Sequence, residues 1–222
     1  MPAYETFVTT MTATSKKNRE AALGNLWAVF KHLPKVEQLN VGEEPGLLAA
    51  VEPFLRGDKA ETALDLLNKL GELEVGEVTE TTRKCAAAIF DSPCLSTVKD
   101  LAETGSTVKL KREAWAVIGK VSCMEEERMK ELLDSAGMVA LLQAGMESED
   151  DIATYATAAT TNLCCNIEVA SDVLNGHPDL VKAFVKAFSI GGTCYKFRSE
   201  SQPPLSFSLH FLMSILLRSL SF

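Results

Sequence analysis

The stretch from Arg19 to Leu33 reads Arg-Glu-Ala-Ala-Leu-Gly-Asn-Leu-Trp-Ala-Val-Phe-Lys-His-Leu, a helix that is small on one side and leucine-rich on the other. Three further stretches have the same character, at residues 60–73, 111–124 and 154–167. Each copy contains an Asn or Gly at a corresponding position, at Asn25, Asn68, Gly119 and Asn162, in steps of 43, 51 and 43 residues. Self-similarity at this period is typical of an α-solenoid, whose stacked units build one extended surface.

Helix-capping residues give the same period independently. Ser15, Asp58, Ser106 and Asp150 precede the four copies in steps of 43, 48 and 44 residues, and their short side chains are suited to accept hydrogen bonds from first-turn amides. Apolar residues recur at helical spacing through most of the chain, whereas alternation with period two is scarce. The sequence therefore predicts an all-α fold.

Two other helices are expected in each unit. A second class of helix precedes each copy, at 46–55, 94–101, 137–146 and 179–185, and shorter helical segments precede those at 79–90, 125–135 and 168–174. Each unit then has three helices, of which the leucine-rich copy is the third.

Three fragments of these helices carry a family resemblance. Ala21-Ala-Leu-Gly-Asn-Leu26 and Ala158-Ala-Thr-Thr-Asn-Leu163 resemble the third-helix core of the armadillo repeat family, and Gly137-Met-Val-Ala-Leu-Leu142 resembles its second-helix start. The resemblance implies a right-handed α-α superhelix of about four repeats over residues 15–190, with the third helices lining an inner groove. Solenoids of the HEAT type, with two helices per repeat, are the near alternative.

The resemblance also implies which residues would hold a ligand. In this family a third-helix Asn amide holds the backbone of an extended peptide, which singles out Asn25 and Asn162, with Asn68 in a less well matched context. The third copy has Gly119 instead and supplies Trp115 one turn earlier, where a groove-facing indole would offer a flat apolar platform. The alternative is structural: the Asn residues tune helix packing, and Trp115 fills the core.

Charge and composition restrict the partners. The 222 residues carry a formal net charge of −8, which argues against a general affinity for nucleic acids. A peptidic partner is expected to be a basic extended segment, with Asp65, Glu72 and the pair Asp150-Asp151 as candidate acids at the groove rim. No sequence feature specifies an oligomeric state.

The sequence contains little that supports catalysis. No two of the six cysteines have the two-residue gap of a metal or redox motif, and none of the three histidines lies in a motif with a nucleophile or metal ligands. We therefore expect no enzyme activity, no cofactor and no metal, and cysteines that are buried thiols. The adjacent pair Cys164-Cys165 is redox-sensitive only if it is exposed. Without a secretory signal, the expected location is the cytosol or nucleus.

The ends of the chain differ from the repeats. Residues 1–14 are expected to be flexible and residues 191–204 to form a linker, because Gly191-Gly192 and Pro203-Pro204 break helices. Residues 205–222 have one leucine stripe, which suits a helix capping the solenoid or a membrane-surface anchor. The third alternative is that the abrupt change in composition after Gly191 marks a truncated or misjoined reading frame. The leading prediction is a non-enzymatic scaffold that binds an extended segment of another protein in the third-helix groove. A membrane-associated adaptor that uses the tail is the alternative.

Overall fold

A computed structural model describes residues 2–34, 37–38, 44, 46–70, 79–148 and 151–190. Within these ranges the chain forms twelve α-helices and no strand. In chain order they are α1 (Pro2–Met11), α2 (Lys16–Phe30), α3 (Leu47–Leu55), α4 (Ala60–Leu70), α5 (Glu80–Phe90), α6 (Cys94–Thr104), α7 (Val108–Val121), α8 (Glu126–Asp134), α9 (Met138–Met146), α10 (Ile152–Leu163), α11 (Ile167–Gly176) and α12 (Pro178–Ile190).

Helices of the same class pack on one another in successive repeats. The third helices α2, α4, α7 and α10 form one layer, and the second helices α1, α3, α6, α9 and α12 form another. The first helices α8 and α11 also contact each other. Complete three-helix units are present as α5–α7 and α8–α10, so the predicted all-α solenoid with three helices per repeat is confirmed.

Side-chain caps begin two of the third helices. Ser15 Oγ accepts a hydrogen bond from the Asn18 amide at the start of α2, as the sequence predicts. At the start of α7 the cap is Thr107 rather than the predicted Ser106, and its Oγ1 accepts from the Leu110 amide at 3.1 Å. The one-residue error arises because a Ser-Thr pair offers two equivalent hydroxyls.

The other two predicted caps, at Asp58 and Asp150, have a different outcome. Helix α4 begins two residues after Asp58, and Asp150 lies outside the described residues. Helix α10 follows Asp151, whose side chain makes no capping hydrogen bond. The second helices α3 and α9 instead follow glycines in the left-handed conformation, Gly46 at φ 80° and Gly137 at φ 77°, which other residues rarely adopt.

Buried leucines pack between the layers and stabilise the fold. In α4, Leu64, Leu66 and Leu67 are fully buried and Leu70 is nearly so. Each buried leucine contributes about 1.5–3 kcal/mol relative to an exposed one. One continuous core of buried hydrophobic residues extends from Met11 to Phe184, which makes the repeats interdependent.

The N-terminal segment corrects a prediction. Most of the segment predicted to be flexible, 1–14, is helical, because Pro2–Met11 forms α1, which packs on α2 and α3. Met11 is 2% exposed, and Tyr4, Phe7 and Val8 pack against the core. These apolar residues recur at helical spacing, a signal that the short polar run after Met11 obscures.

Polar bridges join neighbouring repeats on the first and second helices. The Arg128 guanidinium binds both carboxylate oxygens of Asp91, at 2.6 and 2.9 Å, and lies 5.4 Å from the centre of the Phe90 ring. Lys130 pairs with Asp172 at 2.5 Å in the next repeat. Exposed pairs of this kind are each worth about 0.2–1 kcal/mol, so they fix the register more than they stabilise the fold.

The predicted linker at 191–204 and the apolar tail at 205–222 lie outside the described residues. Within the part of the chain that the structure describes, no helix is long and apolar enough to cross a bilayer.

Candidate functional site

The burial pattern shows which residues occupy equivalent positions in the third helices. Each of α4, α7 and α10 has five buried residues at the same spacing: Ala63, Leu64, Leu66, Leu67 and Leu70; Ala114, Trp115, Val117, Ile118 and Val121; Ala156, Thr157, Ala159, Thr160 and Leu163. When the helices are aligned on these buried residues, the position immediately before the last one is Lys69 in α4, Lys120 in α7 and Asn162 in α10. Asn25 occupies the same position in α2. The steps are therefore 44, 51 and 42 residues, which places Lys120 rather than Gly119 opposite Asn162.

Three parallel rows of side chains, each with one residue per helix, lie on the open side of this layer. We call the surface formed by these twelve residues the third-helix face. The upper row is Asn18, Thr62, Glu113 and Tyr155; the middle row is Ala21, Asp65, Ala116 and Ala158; the lower row is Asn25, Lys69, Lys120 and Asn162. None of the twelve is buried.

Small side chains give this face its shape. Three of the four middle-row residues are alanines, and polar or aromatic side chains flank them on both sides. A low floor between taller polar rows allows an extended backbone to approach the helices and leaves hydrogen-bonding groups at its edges. The spacing of the Asn and Gly residues does not indicate this floor or the lysines beside it, whereas the five-residue motif of buried positions identifies both.

The two Asn candidates of the lower row differ in how much of the amide is engaged. Asn25 is exposed, and its amide makes no hydrogen bond with the described residues. The Nδ2 of Asn162 donates to the Gly119 carbonyl at 3.0 Å and to Ser122 Oγ at 3.2 Å, which ties α10 to the end of α7. Asn162 therefore performs the packing role that the structural alternative assigns to it, and its oxygen takes no described donor.

Asn68 joins two third helices. Its Nδ2 donates to the carbonyl oxygen of Glu113 at 3.0 Å and to the Glu113 carboxylate at 3.1 Å, while Lys120 Nζ donates to the Asn68 carbonyl. The Asn68 Oδ1 is buried without a described partner. Because Asn68 lies one position before the lower row, its amide is directed to α7 rather than into the third-helix face.

Trp115 lies in the core. Its side chain is 1% exposed, so the indole does not line the third-helix face and cannot act there as a platform. The ring packs against Gly145 of α9, where an added Cβ would lie 2.4 Å from Trp115 Cζ2. Trp115 Nε1 is buried without a described partner. In the alignment of buried residues, Trp115 is equivalent to Thr157, which is also buried. The family resemblance matched Gly119 instead of Lys120 to Asn162, and this one-residue error placed the indole in the groove.

Ion pairs connect neighbouring third helices near their first turns. Lys109 pairs with Glu61 at 2.5 Å, and Arg112 pairs with Asp151 at 3.0 Å. Of the acids predicted at the groove rim, Asp151 is thus already paired, whereas Glu72 and Asp150 lie outside the described residues. Partial burial raises the pKa of the fourth, Asp65, above its usual value.

The thiols offer little reactive chemistry in the described chain. Burial raises the pKa of Cys94 and Cys164 to about 12 and that of Cys123 to about 11, which keeps these thiols protonated at neutral pH. Cys85 is also buried, whereas Cys165 is exposed, so the prediction of buried thiols is wrong for this residue. Cys194 lies outside the described ranges, within which no cluster of three metal-ligating side chains occurs.

Solved structures with the same architecture are known. A designed armadillo repeat protein in complex with the peptide (KR)4 matches with a TM-score of 0.62 at 12% identity, over 96% of this chain and 98% of that one. A second designed armadillo repeat protein matches at TM-score 0.58 and 15% identity, over 82% of this chain and 69% of that one. An engineered protein matches at TM-score 0.59 and 18% identity, over 84% of this chain and 68% of that one.

These likenesses, together with the stacked three-helix units, show that the chain has an armadillo-like repeat fold. Neither a protein-family model nor a curated protein sequence matches it. The armadillo prediction is confirmed for the fold.

Proposed function

We propose that this chain is a non-enzymatic scaffold that holds an extended segment of another protein along the third-helix face. The observation that carries the proposal is the middle row of small side chains between two flanking rows, with alanine on three of the four third helices and Asp65 on α4. A designed protein of the same fold is in complex with a peptide, which supports the same use of the fold here.

The length of the face sets the length of the segment. Helices packed side by side lie about 8–10 Å apart, so the four axes span about 24–30 Å. An extended chain covers this distance with about seven to nine residues. Asn25, whose amide offers a donor and an acceptor, and Asn162, which offers its oxygen, can bind the backbone of the segment near the two ends.

The proposal also includes a cellular location and the charge of the partner. The cytosol or nucleus is the proposed location, because four buried thiols suit a reducing compartment. A basic segment is the partner that the net charge of −8 favours at long range. The membrane alternative depended on residues 205–222, and the described helices give it no support.

The test is to block the floor. Peptides are selected from a random display library on the intact chain, and their dissociation constants are then measured for Ala158→Trp and Ala21→Trp. Each indole fills the floor at an exposed position, so we expect binding to weaken at least about tenfold without loss of folding. Ala144→Trp is the matched control, because Ala144 is also exposed but lies on the second helix α9. Equal affinity of all three variants would refute the proposed site.

A further inference from the structure

Asp65 differs from the other charged side chains of the third-helix face in having no polar partner within the described chain. Glu113 accepts a hydrogen bond from Asn68, and Lys120 donates one to the Asn68 carbonyl. Lys69 also has an interaction within the chain. The Asp65 carboxylate, by contrast, makes no hydrogen bond and no ion pair with a described residue. It is the charged group of this face that is available to a ligand.

The surroundings of Asp65 disfavour its negative charge in the free protein. Partial burial is the main cause that raises the pKa of Asp65, while Lys109 lowers this pKa and Glu61 raises it. Lys109 is itself paired with Glu61 at 2.5 Å, so the effects of these two charges on Asp65 oppose each other. A partly desolvated carboxylate without a partner favours a ligand that brings a positive charge and hydrogen-bond donors.

Alanines on both sides give a long side chain access to this carboxylate. Ala21 on α2 and Ala116 on α7 are the middle-row neighbours of Asp65, and neither is buried. The aliphatic stem of a lysine or arginine can pack on their methyl groups while its charged head reaches the carboxylate. A charged donor also makes a stronger hydrogen bond to a carboxylate than the neutral amide of a glutamine does.

We propose that Asp65 determines the specificity of the third-helix face by binding one Lys or Arg side chain of the extended segment. The inference rests on the proposed function and adds which side chain of the partner is recognised, and where. Because the middle row contains a single acid, it selects one cation at one position instead of basic character in general. That contact fixes the register of the segment along the four third helices.

The place of α4 among these helices predicts where the cation lies in the segment. Helix α4 is the second of the four, about 8–10 Å from α2 and about 16–20 Å from α10. At about 3.3–3.6 Å per extended residue, the cation falls at about the third or fourth residue from the end that lies over α2. The direction of the segment decides whether that end is its N-terminus or its C-terminus.

The first test is a selection from a library of random nonapeptides on the intact wild-type chain and on Asp65→Asn. Asp134→Asn is the matched control, because Asp134 is an exposed acid on the first helix α8 and its substitution makes the same change in side chain and net charge. We expect Lys or Arg to be enriched at one aligned position with the wild type and the control. With Asp65→Asn this enrichment should be lost.

A double-mutant cycle on one selected peptide then measures the contact. Fluorescence polarisation gives the dissociation constants of the peptide, and of its form with the cation replaced by Gln, for the wild type and for Asp65→Asn. Each single change is expected to weaken binding at least about fivefold, and the second change to add less than about twofold. Asp134→Asn should leave both affinities within about twofold. The peptide substitution on the wild type tests the contact even if Asp65→Asn fails to fold.

The other outcomes overturn the inference. Enrichment of Lys or Arg that persists with Asp65→Asn, equal affinity of the peptide and its Gln form for the wild type, or additive losses in the cycle refute the role of Asp65. Each of these results leaves the peptide-binding scaffold standing. Failure to select any peptide on the wild-type chain refutes the scaffold and this inference with it.

Discussion

Substitution of Gly145 by Ala tests how tightly Trp115 packs the layer of second helices against the layer of third helices. An added Cβ at Gly145 would lie 2.4 and 2.8 Å from Trp115 Cζ2 and Cη2, and 2.8 Å from the Ala156 Cβ. Separations this short require movement of a fully buried indole or of the α9 backbone against α10. Forced overpacking of this kind costs about 1–3 kcal/mol.

Two opposing terms give the net effect. Replacing a helical Gly by Ala gains up to about 1 kcal/mol in helix propensity and unfolded-chain entropy. Because the three close contacts involve a rigid ring and a neighbouring Cβ, we take the overpacking cost at the top of its range, which leaves a net destabilisation of about 2 kcal/mol. For a chain of this size the melting temperature should fall by about 4–8 °C.

Gly24→Ala is the matched control for thermal denaturation followed by circular dichroism. Gly24 is also helical, but nothing lies within 4 Å of its added Cβ, so this variant should gain about 0.5–1 kcal/mol. Trp115→Leu removes the clashing ring atoms, and Gly145→Ala should cost less in that background. A Gly145→Ala variant that melts at or above the wild-type temperature would refute the packing of Trp115 against α9.

Three further predictions concern single side chains. Cys165 should be the first described cysteine alkylated by iodoacetamide, as judged by peptide mass mapping, because the other four are buried; modification of Cys94 at the same rate would contradict the fold. Glu52→Gln should destabilise the protein at pH 7, since the hydrogen bond from Thr97 holds the Glu52 pKa below its usual value. That loss should vanish as the pH falls through this lowered pKa, and a pH-independent loss in urea unfolding would be inconsistent with it. Asp65→Asn should have the opposite sign and stabilise at pH 7, because burial raises the Asp65 pKa and disfavours its charged form; a destabilised variant would contradict this.

The sequence predicts the architecture because its signals are redundant. Helical spacing of leucines, capping hydroxyls such as Ser15 and the period of the third helices all indicate the same stacked units, and an error at one cap does not propagate. Helix α1 was missed because the stretch is short and polar residues follow it.

The candidate site is less predictable because a helix position is defined by its neighbours. An error of one residue rotates a side chain by about 100° around the helix axis. Matching Gly119 instead of Lys120 to Asn162 therefore hid a lysine of the third-helix face and placed Trp115 on it, although that ring lies in the core. The engagement of Asn68 with Glu113 depends on the spacing of two helices, which the sequence alone does not specify.

The central claim is that a peptide lies along the third-helix face. A nuclear magnetic resonance titration of the ¹⁵N-labelled intact chain with a peptide obtained from the display selection tests it most directly. The account predicts that the largest amide shifts fall on the middle row, at Ala21, Asp65, Ala116 and Ala158, with little change on α6 or α9. Shifts concentrated on the second helices, or no saturable shift on the middle row, would contradict it.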